Sequence, residues 1–395
     1  MGAGTARGGA CLLISGNVRK NMEFVVFAGV LLLLFIFMIV QELIQTKNQE
    51  KLFKKYLREN YGKEPPKEYS LERFARLGSY LERHKEEKQL DDITWNDLGM
   101  DEVFRRIDRT YSAAGEEYLY YTLRNISCGR EAMEHLEEVV NWLQEQEDIK
   151  VRIQLLMKRL GHLGKYSLYD YLDNLDYLGE RSNRKIVLGN LLYLPFLLLL
   201  FVQPAMGTIG IVLCMLWHIM TYFREKKVIE PYIISFAYVL RLIDVCEELE
   251  KQKIPVYRRE LDELREVLKS LRELRRGSYW VMAGNQGKIG GNPLDILADY
   301  LRMILHLDIF QFNRMLEKLR KKTGQVETML AITGYLDMAI SVGGFRKSLE
   351  GYCIPKLEED TEKAFLHMKK GWHPLLSQPV KNSIRADRGI LLTGS

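Results

Sequence analysis

The last stretch of the chain, residues 371–395, reads GWHPLLSQPVKNSIRADRGILLTGS and is its most informative part. It closes on a short apolar strand that begins at Gly389 and runs into Gly394 and Ser395. An apolar strand followed by a glycine-rich turn is typical of phosphate-binding domains, in which backbone N–H groups hold the phosphates. The lysine, the Ser/Thr and the helix that complete such a loop do not follow Ser395. We therefore expect the chain to be truncated at the start of the loop.

A turn upstream of this strand adds a second signal. His373, Pro374, Leu375 and Leu376 precede the closing strand. Turn and strand together resemble the region leading into the ATPase domain of the MutS family, where a His-Pro segment precedes the phosphate-loop strand at about this spacing. The resemblance implies that residues 357–395 begin a P-loop α/β ATPase domain that is otherwise missing.

Composition excludes several classes of site. Hydrophobic residues make up 47% of the 395 residues and charged residues 28%, which indicates separate apolar and charged segments. The net charge of +5 permits contact with nucleic acid or anionic lipid without requiring either. The five cysteines form no CxxC pair and the seven histidines show no paired spacing, so we expect neither disulfides nor a metal site.

An apolar run from Phe24 to Val40 is long enough, with Gln41, to cross a bilayer. A cleaved signal peptide is the alternative, but a charged helix follows where a small-residue cleavage site would stand. We predict a flexible N-terminus over 1–23 and a transmembrane anchor over 24–43. The lysines after the run favour an N-terminus outside the cytoplasm, and a start at Met22 would remove the opposing charges.

Residues 44–90 are polar and interrupted at Pro65-Pro66. Leu71, Phe74 and Leu77 have the spacing of a short amphipathic helix. We predict a solvated helical stalk here, with its charged side chains facing water or lipid headgroups.

Residues 91–183 are predicted to form helices that meet at a Thr-Tyr-Ser-Ala-Ala-Gly junction. The residue types around this junction resemble the opening of the MutS core domain. The positions that carry this resemblance are Arg109, Thr110, Ser112, Gly115, Leu119, Leu123 and Arg124. The resemblance implies that 91–183 is the first part of a MutS-core-like helical domain.

Two further apolar runs, Ile186 to Val202 and Ala205 to Phe223, are separated only by Gln203-Pro204. Basic residues flank both runs and no charged residue lies between them, which predicts a transmembrane hairpin over 184–225 with its turn outside. A buried hairpin in a soluble core is the alternative.

Two residues within these runs call for an explanation. Pro195 is expected to kink the first run, because proline cannot donate the helical hydrogen bond. His218, near the end of the second run, is expected to lie close to the membrane interface, although ionisable groups in lipid often mark function.

Residues 226–356 are predicted to be helical, with a break at Pro255 and one long helix from Leu294 to Lys322. The glycine-rich loop at 284–291 lacks a preceding strand and a following GK[ST], so we interpret it as a flexible or ligand-approaching loop and not as a phosphate loop. The next helix resembles the return helix of the MutS core. The positions that carry this resemblance are Leu336, Asp337 and Ser341.

The MutS resemblance also implies a nucleotide site. It assigns Pro379, Val380 and Lys381 to the adenine of ATP, and Gly394 and Ser395 to its phosphates with Mg²⁺. Lys381 departs from the aromatic or aliphatic residue usual in the family. Because the phosphate-loop lysine and the Walker B acid are absent, this chain alone is not expected to hydrolyse ATP.

The leading hypothesis is a mainly α, multi-pass protein of the cell membrane, with three transmembrane helices and most of its chain in the cytoplasm. Its MutS-core-like domain would pass a nucleotide-driven change to the hairpin, with membrane lipid as a partner and a homodimer as the assembly. DNA repair is the runner-up, although the Phe-x-Glu at Phe223 lies at the end of a predicted span and no clamp domain is recognisable. A non-enzymatic membrane scaffold is the third.

Overall fold

A computed structural model describes residues 36–41, 43–63, 69–86, 88–126, 129–163, 167–272, 293–358, 365–376 and 378–390. Contacts between Cα atoms divide the chain into residues 1–59 and residues 60–395. In the first unit, residues 36–41 and 43–59 are helical. Most of the predicted anchor over 24–43 lies outside the described residues.

The second unit is mainly helical, as predicted. A helix over residues 43–60 (α1) leads into it. The helices that follow are α2 (Leu71–Arg83), α3 (Asp92–Asp97), α4 (Met100–Ile107), α5 (Ala113–Arg124), α6 (Arg130–Glu145), α7 (Glu147–Leu160), α8 (Leu168–Asp173), α9 (Arg184–Leu191), α10 (Tyr193–Val202), α11 (Pro204–Glu250), α12 (Arg258–Leu271), α13 (Pro293–Leu305), α14 (Leu307–Arg320) and α15 (Thr323–Lys347). Two strands, β1 (Leu366–Gly371) and β2 (Asn382–Ala386), form an antiparallel pair.

Short polar side chains start several of these helices. Ser70 caps α2, Asp91 caps α3, Ser112 caps α5 and Ser167 caps α8, each accepting a hydrogen bond from a backbone N–H of the first turn. Such caps satisfy donors that the helix itself leaves unpaired. The Ser at the predicted 110–115 junction therefore sets where α5 begins.

Helices α5 and α15 form the centre of the second unit, and glycine lets them approach closely. A Cβ atom on Gly115 would lie 2.7 Å from the Cβ of Asp337, and one on Gly334 would lie 2.6 Å from the carbonyl oxygen of Ala114. Both distances are too short for any side chain, so each position requires glycine.

The predicted halves 91–183 and 226–356 build one hydrophobic core. Buried apolar side chains of α6 and α7 pack with those of α11, α12, α14 and α15. A smaller cluster lies where α2, α3 and α4 meet α5 and α15; its buried members are Leu77, Trp95, Phe104, Leu119, Tyr120 and Met338. The segment between the halves, 184–225, is thus an insertion into a helical body.

Helix α2 packs against α5 through Leu77, which is fully buried. The prediction that the charged side chains of this stretch face solvent is wrong for Arg76, which is only 7% exposed. Burial of a guanidinium requires a charged partner, and Glu116 on α5 supplies it at 2.8 Å.

The predicted hairpin is present as α9 and α10 packed against the first part of α11. The first run is interrupted at Leu192, between α9 and α10. The cause is Pro195, as predicted, because its missing N–H leaves the Leu191 carbonyl without its helical partner. Gly207 and Gly210 on α11 let α10 approach, since a Cβ at either would overlap atoms of α10.

Three described helical segments are long and apolar enough to cross a membrane: Arg184–Val202, Pro204–Glu250 and Thr323–Lys347. The first two form the predicted hairpin. The third is α15, and 72% of its most apolar stretch is buried in the helical core. Its apolar character is therefore explained by packing on several sides.

The prediction of one long helix from Leu294 to Lys322 is wrong. The chain breaks at His306, whose φ of 53° is left-handed, and continues as α14. A non-glycine residue rarely adopts this conformation, which ends α13 and turns the chain. The predicted break at Pro255 is confirmed by a short 3₁₀ turn, Pro255–Tyr257. The glycine-rich loop at 284–291 lies outside the described residues.

We expect Gly115→Ala and Gly334→Ala each to destabilise the fold by about 1–3 kcal/mol, the usual cost of forcing a methyl group into a packed contact. The free energy of unfolding is measured by chemical denaturation of the detergent-solubilised protein, followed by circular dichroism.

Gly78→Ala is the matched control, because no atom lies within 4 Å of a Cβ added there in α2. It should be neutral or stabilise the protein by up to about 1 kcal/mol, as Gly→Ala does in a helix. Equal effects at positions 78, 115 and 334 would contradict the role assigned to close packing.

Candidate functional site

The residues predicted to contact ATP lie near a β-hairpin. His373 to Leu376 form a turn after β1, closed by a hydrogen bond from the Leu376 N–H to the His373 carbonyl at 3.2 Å. Pairing of β1 with β2 was not predicted from the sequence. It joins Met368 to Ile384 across the strands, so the turn and the segment after it form one loop.

The predicted adenine contacts, Pro379, Val380 and Lys381, lie directly before β2. Val380 is 76% exposed, and Lys381 Nζ lies 3.7 Å from the carboxylate of Glu350. Val380 is therefore open to solvent, whereas Pro379 is half-buried. Gly394 and Ser395, assigned to the phosphates, lie outside the described residues.

No metal centre is formed within the described parts of the chain. There, no group of three or more His, Cys, Asp or Glu side chains is placed to hold a metal ion.

The two helical segments singled out in the sequence meet in one buried hydrogen-bond network. Asp337 on α15 accepts hydrogen bonds from the Ser112 backbone N–H at 2.8 Å and from the Ser112 hydroxyl at 2.6 Å. Ser341, one turn later, accepts from the Arg109 N–H at 2.8 Å and donates to the Ile107 carbonyl at 2.9 Å. The Asp337 carboxylate faces the N-terminus of α5, where the helix dipole favours negative charge.

The side chain of Arg109 extends this network to the two ends of the helical core. Its guanidinium donates to the carbonyls of Arg106 at 2.7 Å and Lys63 at 3.3 Å, and to the Ser348 hydroxyl at 3.2 Å. Lys63 precedes α2, and Ser348 follows α15 on the way to β1. One buried cation therefore joins the segment that enters this unit to the segment that leaves toward the β-hairpin.

A buried ionic cluster lies beside this junction. Glu116 on α5 is fully buried and forms ion pairs with Arg73 and Arg76 of α2, while His162 Nδ1 lies 3.5 Å from its carboxylate. Two arginines on one buried carboxylate fix α2 against α5, because removing either partner would leave an uncompensated charge.

Glu117, the next residue, has a different environment. It is buried and accepts hydrogen bonds from the Ser167 hydroxyl at 2.9 Å. Burial raises the pKa of Glu117 to about 8, while Ser167 and Arg76 oppose that shift. Two adjacent carboxyl groups therefore differ in environment, because Glu116 forms ion pairs with two arginines whereas the hydrogen-bond partner of Glu117 is a serine hydroxyl.

The core end of the predicted transmembrane hairpin makes polar contacts with the junction between α13 and α14. Thr221 Oγ1 lies 3.3 Å from His306 Nε2, and the Tyr222 hydroxyl donates to Asp308 at 2.8 Å. The Asn190 side-chain amide donates to the carbonyl at the end of α13 at 3.1 Å. The left-handed turn at His306 is what brings these groups against the hairpin.

His218 completes this contact. It is buried, its ring centroid lies 5.4 Å from that of His306, and its Nδ1 lies 2.9 Å from the Cys214 carbonyl. The ring packs against Gly189, where a Cβ would lie 3.1 Å from Nε2. The structure thus places His218, on α11, between α9 and the α13–α14 junction.

No family model, curated protein or solved structure matches the chain. The resemblance to MutS proteins therefore rests on the motifs in the sequence.

The sequence singled out the 110–115 and 336–341 segments by their resemblance to the MutS core, but it did not predict that they meet, nor the ionic cluster between α2 and α5. Adjacent glutamates at 116 and 117 on a polar helix are normally solvent-exposed. The sequence does contain one indication of this cluster. Arg73 and Arg76 are three residues apart and so lie on the same side of a helix whose apolar face must pack against another helix. The partner helix could not be deduced from that spacing.

Glu117→Gln should reduce the pH dependence of stability. Because the folded pKa of about 8 lies above the ordinary value of 4.5, Glu117 contributes its full stability below about pH 4.5 and loses it as pH rises toward 8. The variant should therefore gain stability over the wild type across this range, by at most about 1.4 kcal/mol per pH unit. Melting temperatures at a series of pH values measure this difference.

Glu134→Gln serves as the control, because Glu134 is exposed on α6. Its melting temperature should follow the wild type at every pH. A Glu117→Gln curve parallel to that of the wild type would show that Glu117 stays ionised in the fold.

Proposed function

We propose that the chain is the membrane-anchored helical core of a MutS-type protein, in which ATP binding is coupled to the membrane hairpin. ATP and Mg²⁺ would be bound by a domain that begins with β1 and β2, where Pro379 and Val380 offer an apolar surface. The core would carry a conformational change from this domain to the membrane.

The observation that carries the proposal is the continuity of α11. This helix has 47 residues and a length of about 70 Å. Its first part packs in the hairpin, and its second part is buried in the core at Ile233, Phe236 and Leu240. Since α11 also packs on α15, a displacement of α15 has a direct path to the hairpin.

Pro231 provides a position at which α11 can bend. It lies inside α11, between the apolar hairpin segment and the core segment. A proline within a helix leaves the carbonyl four residues earlier, here that of Lys227, without its helical partner. The bending of long helices concentrates at such positions, so the hairpin and the core can change their relative angle there.

The buried network at Ser112 and Asp337 supports the family assignment. These residues belong to the two segments that resemble the start and the return helix of the MutS core, and they meet although they are 225 residues apart. Arg109 links the same network to Ser348, from which the chain continues to β1. A change at the β-hairpin can therefore reach α15 and α5.

The proposal places the hairpin in the cell membrane with the helical core in the cytoplasm. The basic residues at the core end of the hairpin support this orientation, because cytoplasmic flanks carry excess Lys and Arg. The family resemblance also implies a homodimer and the binding of mismatched DNA. DNA binding has no support of its own among the described residues, so it enters as an outcome of the test.

Coupling is tested on the complete gene product in lipid nanodiscs, by hydrogen–deuterium exchange with and without a non-hydrolysable ATP analogue and Mg²⁺. We expect the analogue to bind and to change exchange at residues 228–235 roughly tenfold, equivalent to about 1.4 kcal/mol. Pro231→Ala restores the missing hydrogen bond and should suppress this change while nucleotide binding persists. Pro255→Ala, outside α11, is the matched control and should keep it.

Three outcomes would contradict parts of the proposal. Absence of nucleotide binding favours a non-enzymatic membrane scaffold. Binding without any change in α11 argues against coupling through this helix. Tight binding of duplex DNA, with an affinity that falls steeply with salt, favours the DNA-repair role.

A further inference from the structure

We propose that the core end of the membrane hairpin is a binding surface for the headgroups of anionic phospholipids. The surface, here called the rim, consists of residues 180–185 and 224–230. This inference rests on the proposed insertion of the hairpin and goes beyond it by naming the lipid class and the residues that recognise it.

The rim has an excess of positive charge. Its cationic residues are Arg181, Arg184, Lys185, Arg224, Lys226 and Lys227, and its anionic residues are Glu180, Glu225 and Glu230. The two segments lie side by side, because Arg181 forms an ion pair with Glu225. Both segments, 180–185 and 224–230, therefore contribute positive charge at the same position along the hairpin axis.

Four of these cations are available to a ligand. Arg181 is engaged with Glu225, and Lys226 lies over the ring of Tyr222, 5.3 Å from its centroid. The remaining cationic side chains are exposed, and none of them forms an ion pair within the described parts of the chain; they are Arg184, Lys185, Arg224 and Lys227. A cluster of unpaired cations favours a multiply contacted anion.

The position of the rim fits the headgroup layer of a bilayer. The apolar helices begin directly beyond it, at Ile186 and at Phe223. Trp217 is 51% exposed and Phe223 58% exposed near this end of the hairpin. Exposed aromatic residues are enriched at the boundary between lipid tails and headgroups, so the adjacent cations lie at the depth of lipid phosphates.

The surface beside the cations favours a lipid over a free anion. Leu188 follows Lys185 by one helical turn and is 64% exposed, and Val228 next to Lys227 is 58% exposed. Inorganic phosphate could pair with the cations but would leave these side chains in water. A phospholipid brings an anionic headgroup and an apolar chain in the arrangement that the rim presents.

The rim is also held in place by the core. The Asn183 side-chain amide donates to the Phe310 carbonyl at 3.0 Å, and the Asn183 side-chain oxygen accepts from Asn313 at 2.9 Å. These contacts fix the start of α9 on α14, next to Arg184. Cations on a fixed backbone lose less freedom on binding than those on a mobile loop.

The test compares lipid retention by the full chain. The protein is reconstituted in vesicles of equal parts phosphatidylglycerol and phosphatidylcholine, extracted with mild detergent, and its retained lipids are quantified by mass spectrometry. We expect phosphatidylglycerol to be enriched at least about fivefold, the factor that one cationic residue contributes near an anionic surface. The variant R184Q/K185Q/R224Q/K227Q should retain both lipids without enrichment.

The matched control, K251Q/R258Q/R259Q/K321Q, also removes two arginines and two lysines, all exposed and outside the hairpin. It should keep the enrichment, and circular dichroism checks that both variants fold. Equal enrichment in the wild type and the rim variant overturns the inference but leaves insertion intact. Loss of enrichment in the control as well would also overturn it, since only total charge would matter. Release of the wild type from the vesicles by an alkaline carbonate wash would refute insertion itself.

Discussion

The buried carboxylate of Asp337 is the contact on which the helical body depends. It accepts the N–H groups of Tyr111 and Ser112 together with the Ser112 hydroxyl, at the start of α5. A carboxylate at a helix N-terminus is stabilised by the dipole and by the unpaired donors of the first turn. Because Ser112 and Asp337 are 225 residues apart in sequence, this contact joins the two parts of the core that the hairpin segment separates. Gly115 is what allows the carboxylate to come so close.

Local rules predicted much of the fold. The apolar periodicity gave the helices, the uncharged runs gave the hairpin, and Pro195 placed its break near Leu192. The resemblance to MutS pointed to Ser112 and Asp337, which the structure brings together. Other features depend on contacts between distant parts of the chain, which the spacing of residues in the sequence does not predict. The burial of Glu116 requires the arginines of α2, and the left-handed turn at His306 lies against the hairpin.

Buried polar contacts join the helical core to α2 on one side and to the hairpin on the other. Helix α2 is joined to α5 by arginines and a buried glutamate, and the hairpin is joined to α14 by Asn183 and Tyr222. Apolar packing alone has little directional preference, whereas hydrogen-bonded and ionic contacts fix register. The predicted nucleotide residues show the opposite pattern, since Val380 is open to solvent and no described side chain encloses it.

The uninterrupted course of α11 has a consequence for the response to bilayer thickness. A transmembrane helix that is longer or shorter than the local hydrocarbon layer adjusts mainly by tilting. Where a loop joins the span to a soluble body, the loop absorbs that tilt. In the proposed arrangement the span would pass into the core as the same helix, so tilt would bend the helix at Pro231 or rotate the helical body. Lipids of different chain length would therefore set the angle at which the core stands on the membrane surface.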